Sequence, residues 1–153
     1  MSWDLTCVIC EKCLALTNLL VFISFGIQMH GLIGSQGITP LKEVMKGKTW
    51  RGLRNGVTLF FYSDSDNMIN VVWLGGVVSA LLALFGVFPV VMMAMFTICY
   101  ESFHVVSDMW MGLQMHSNIT ELNVLYVMSG PFLRWYPFTF ICVNWALLFR
   151  TML

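Results

Sequence analysis

The sequence predicts an all-α, polytopic transmembrane helical bundle of four to five spans, and three observations carry that prediction. Of its 153 residues 58% are hydrophobic and only 10% charged, which would leave a soluble domain too little polar surface to face water. The stretch from Asn67 to Tyr100 carries no charge at all and is long enough for two bilayer crossings. Finally, most of the basic residues gather in one loop, as they do in membrane proteins of defined orientation. The length allows one membrane domain covering 1–153.

The first span is expected at about 13–33, an apolar run too long for the core of a signal peptide. Met1 to Asp4 lack the basic start such a peptide needs, and Asp4 and Glu11 precede any Arg, unlike a mitochondrial transit peptide. The run therefore reads as a retained helix. Pro89 divides the charge-free stretch into a second span at 69–88 and a third at 90–106. Gly75, Gly76 and Ser79 put small residues on one side of the second span, the composition that lets helices approach closely in lipid. A fourth segment, 119–133, is short and holds Glu121, Asn123 and Pro131, so its reading stays open between a full crossing and a tilted or re-entrant helix packed inside protein. A last span is expected at 136–153.

Lys42, Lys46, Lys48, Arg51 and Arg54 follow the first span and are opposed there only by Glu43. Positive charge stays on the cytosolic or matrix side, so the N-terminus and the Pro89 turn are expected on the opposite side. The Asn118-Ile119-Thr120 sequon then lies on the basic side and is expected to remain unmodified. The same basic residues can contact anionic lipid head groups, although a solvated loop obeying the orientation rule accounts for them too. A net charge of zero argues against a nucleic-acid partner, which would require a basic face.

Glu101, His104, Asp108 and Glu121 are ionisable groups in or beside spans, and such groups need a reason to be there. Glu101 and His104 stand at i, i+3 and share a helix face. Together with Asp108 and Glu121 they read as a structural polar network between the third and fourth spans, in preference to a proton or quinone path. Cys7, Cys10 and Cys13 form C-x-x-C-x-x-C, which on a helix spreads the thiols too widely to converge on a metal, and no fourth ligand is supplied. Nothing in the spacing of His30 and His104 selects haem. No nucleophile with a positioned base, phosphate loop or zinc protease motif is found, so no catalytic, cofactor or metal residues are assigned and no small-molecule substrate is evident.

The order of several landmarks resembles the N-terminal membrane half of the lipase maturation factor family over nearly the whole chain. Gly31-Leu32-Ile33-Gly34-Ser35-Gln36-Gly37-Ile38-Thr39-Pro40 resembles the exit from that family's first span, where the glycines permit a tight turn. Thr58-Leu59-Phe60-Phe61 with Ser65-Asp66 resembles the approach to its second. Gln114 to Glu121 and Asn144-Trp145-Ala146-Leu147-Leu148-Phe149-Arg150 resemble later segments. The sequence departs from the family at Met115, His116, Ser117, Asn118 and Asn123, the last standing where the family has glycine. Family members continue through further spans into a large soluble region.

Two functions are expected from this. Small size and the lack of catalytic chemistry predict a non-catalytic accessory subunit among other membrane subunits of a larger complex, with a mitochondrial respiratory assembly in the inner membrane as its setting. The resemblance implies the alternative, a factor of the endoplasmic reticulum membrane that helps lipases fold.

Overall fold

The structure, a computed structural model, describes residues 3–46, 58–63, 65–107 and 114–133. Five helices are present among them: α1 (Trp3–Ile33), α2 (Leu41–Met45), α3 (Asp66–Phe85), α4 (Pro89–Val106) and α5 (Gln114–Leu133), with a 3-10 turn at Leu59–Phe61. Three segments are long and apolar enough to cross a membrane: Val8–Ile33 within α1, all of α3, and all of α4. The apolar part of α5 is shorter, Ile119–Met128. The chain is a helical membrane bundle.

Local chemistry sets the helix ends. α1 starts ahead of the expected 13–33, and its 31 residues make a rod of about 46 Å, longer than the roughly 30 Å hydrocarbon layer. At its exit the chain folds back on itself: Ile38 N–H donates to Gly31 O at 3.0 Å and Thr39 N–H to Leu32 O at 2.9 Å. A side chain at Gly34 would strike the His30 carbonyl, so the glycine there is a steric requirement. Ser65 starts α3 by accepting the Met68 N–H on its Oγ at 3.4 Å. α3 ends at Phe85, short of the expected Phe88, because Gly86 takes a left-handed φ of 83° and its N–H closes on Ala83 O at 3.0 Å. Phe88, also left-handed at φ 43°, completes the reversal, and Pro89 opens α4 at a position where its missing N–H costs nothing. The segment expected at 119–133 is a helix that begins earlier, at Gln114. The span expected at 136–153 lies outside the described residues.

α1 and α3 form an antiparallel pair. Trp73 Nε1 on α3 donates to the Phe22 carbonyl of α1 at 2.9 Å, and Gly76 leaves the space that the Phe22 ring fills. Of the small residues on α3, Gly76 and Ser79 are buried while Gly75 is exposed, so Gly76 is the one that sets the approach to α1. α4 runs alongside α1 in the same direction. Phe22, fully buried, packs edge-on against Phe96 at 5.2 Å and Phe103 at 5.7 Å between ring centroids, giving the core an aromatic centre. The 3-10 turn closes the basic-loop end: Thr58 Oγ1 donates to Ser102 O at 3.2 Å and Leu59 N–H donates to Ser102 Oγ at 3.1 Å.

Candidate functional site

Among the polar contacts that join helices in the described residues, two groups were not found by sequence reasoning. The first is an amide pair in the middle of the bundle. Asn18 Nδ2 on α1 donates to Asn123 Oδ1 on α5 at 2.7 Å, Asn123 Nδ2 returns a bond to Asn18 Oδ1 at 3.1 Å, and Asn18 Nδ2 also lies 3.3 Å from Met93 Sδ on α4. Both asparagines are 0% exposed, so each amide depends on the other for the hydrogen bonds that lipid and packed side chains do not provide.

The second group stands at the end of the bundle opposite the basic loop. Lys12 Nζ donates to Ala83 O in the last turn of α3 at 3.1 Å, adding a second donor to a carbonyl that already accepts from Gly86 N–H and placing a cation where the helix dipole is negative. Glu11 lies 3.5 Å from the same ammonium and accepts the Tyr126 hydroxyl of α5 at 2.8 Å. Three helices are thereby tied at one edge through two consecutive side chains. Asn123 stood out only as a polar residue in place of glycine. Asn18, Glu11, Lys12 and Tyr126 gave no local signal, because their partners lie 71 to 115 residues away.

The structure places the expected polar residues as follows. Glu101 and His104 meet within α4, Oε2 to Nδ1 at 3.9 Å and both partly buried, an ion-pair distance and longer than a hydrogen bond. Glu121 is half-buried on α5, and Asp108 lies outside the described residues. Lys42 and Lys46 are exposed; Lys48, Arg51 and Arg54 lie outside the described residues. His30 turns to Asn70, with Nε2 2.8 Å from Oδ1. Cys10, half-buried, and Cys13, exposed, are free thiols, and the Cys7 side chain is outside the described set. Among the described residues no three His, Cys, Asp or Glu side chains gather as a metal site would require.

At the basic end, Ser35, Pro40, Leu41, Lys42, Glu43, Lys46, Ser65 and Asp66 line a cleft of ≈ 450 Å³. Asp66 forms part of its wall and is fixed by Ser35, which donates both its N–H at 3.0 Å and its hydroxyl at 2.7 Å to the carboxylate.

An apolar bundle whose interhelical polar groups serve mainly to hold its own helices together is an integral membrane domain of the packing type. The lipase maturation factor transmembrane domain matches residues 5–153, and the chain belongs to that family. It is similar to lipase maturation factor 2 of Gallus gallus, with 30% identity over 159 residues that cover 91% of this chain and 22% of that protein. The chain thus spans about a fifth of that relative's length. No solved structure matches it.

Proposed function

We propose that this chain is the membrane-embedded part of a non-catalytic factor that assists lipase folding and maturation in the endoplasmic reticulum membrane, among lipids and other membrane subunits. The observation that carries this reading is the family match from residue 5 to residue 153. The printed name of the chicken relative points the same way. The geometry fits a scaffold: Asn18 with Asn123 and Lys12 with Ala83 spend their polar atoms on helix pairing, leaving the bundle to anchor and orient what it carries. The mitochondrial respiratory setting expected from size and composition finds no support in the family match, so the maturation alternative replaces it.

Deleting the chain from cells that secrete a lipase is the test. Secreted lipase activity per unit of lipase protein should fall while oxygen consumption stays normal. Unchanged specific activity, or a respiratory defect, would overturn the reading.

A further inference from the structure

The cleft at the basic end lies between the end of the apolar segment Val8–Ile33 and the start of Asp66–Phe85, where a bilayer around these segments would place its head groups. Its volume of ≈ 450 Å³ falls within the range of small-molecule sites, about 300–1,000 Å³. Buried Leu41 lines it from the protein side, and charges of both signs surround it: the ammonium groups of Lys42 and Lys46, and the carboxylates of Glu43 and Asp66. Among the described residues no ion pair joins either lysine to either carboxylate, although Lys42 lies within electrostatic reach of Asp66. Charges of both signs that face one cleft without pairing with one another offer a ligand two kinds of contact.

We propose that this cleft binds the head group of a zwitterionic phospholipid bearing a primary amine, with its phosphate toward Lys42 and Lys46 and its ammonium toward Asp66 and Glu43. Charge balance selects the class. Among the described residues the four lining charges sum to zero, so a purely anionic head group would meet two carboxylates with nothing to offer them, whereas a zwitterion satisfies both signs. The amine is selected separately. Carboxylate oxygens accept hydrogen bonds, and each Asp66 oxygen keeps acceptor capacity beyond its bond from Ser35. An ethanolamine ammonium donates such bonds, while a choline group has no N–H and favours aromatic cages. Among the described residues no aromatic side chain lines the cleft. This site is independent of the lipase reading and stands or falls without it.

The test uses the full chain reconstituted in nanodiscs holding equal parts of phosphatidylethanolamine, phosphatidylcholine and phosphatidylglycerol. Native mass spectrometry after release then counts the lipids retained. Phosphatidylethanolamine should dominate the retained lipid. The exposed double substitution Lys42→Gln/Lys46→Gln should cut that retention about tenfold. Glu43→Gln, which spares the Ser35 contact that positions α3, should shift retention toward phosphatidylglycerol. Soluble phosphoethanolamine should displace the lipid at concentrations where inorganic phosphate does not. Equal retention of the three lipids, preference for phosphatidylglycerol in the unaltered chain, indifference to the double lysine substitution, or equal displacement by inorganic phosphate would each overturn the assignment, the last by revealing a site for free phosphate.

Discussion

Truncating the buried amide pair tests the packing most directly. Asn18→Ala removes both hydrogen bonds to Asn123 along with the contact to Met93 Sδ, and leaves Asn123, at 0% exposure, with no other partner among the described residues. Asn123→Ala leaves Asn18 the sulfur of Met93 at 3.3 Å. An orphaned buried amide costs about 1–3 kcal/mol, so each single variant should lose about 2 kcal/mol, with Asn18→Ala the more damaging. Interhelical hydrogen bonds in membrane proteins contribute about 0.6 kcal/mol apiece in double-mutant cycles. Two of them give an expected coupling of about 1.2 kcal/mol, and the double variant should be less harmed than the sum of the singles by that amount. Unfolding of the four proteins by increasing SDS in mixed micelles, followed by the change in helical circular dichroism, measures all the corners of the cycle. A coupling below about 0.3 kcal/mol, the level at which independent sites add, would refute the claim that these two side chains hold α5 to α1.

Two further outcomes follow from the helix contacts and the orientation. Gly76→Ala drives a methyl group into the Phe22 ring and should destabilise the bundle by about 1–3 kcal/mol in the same SDS titration; Gly75→Ala, where an added methyl meets only Cys99 Sγ at 3.8 Å, should cost far less, and equal losses would contradict the packing described. Because α5 begins at the basic end of the bundle, the Asn118 sequon should carry no glycan, and treatment with a peptide N-glycosidase should leave the electrophoretic mobility unchanged; a faster band would invert the orientation.

Features set by neighbouring residues were legible in the sequence. Pro89 marked the start of α4, because proline is pre-organised for the first turn of a helix, where its missing N–H costs nothing. The glycines after the first span announced a tight exit, and Gly34 and Gly37 are indeed pressed against the preceding backbone. The end of α3 was misplaced by three residues because the apolar run continues through Val87 and Phe88 while the left-handed Gly86 has already stopped the helix. Which faces meet was not legible: helices that are apolar nearly all round carry no periodic stripe to point toward the core. Contacts between distant segments were not legible for the same reason. Glu101 and His104 are close in sequence and meet within one helix, whereas Asn18 with Asn123 and Glu11 with Tyr126 join segments more than 100 residues apart.

The long separation of Asn18 from Asn123, 105 residues, has a consequence during synthesis. A ribosome adding about 5–20 residues per second needs roughly 5–20 seconds to supply the second asparagine after the first has emerged. For that interval the nascent first helix carries an unmet amide into the bilayer, so it should linger beside the insertion channel or a membrane chaperone, and be released laterally only when its late partner arrives.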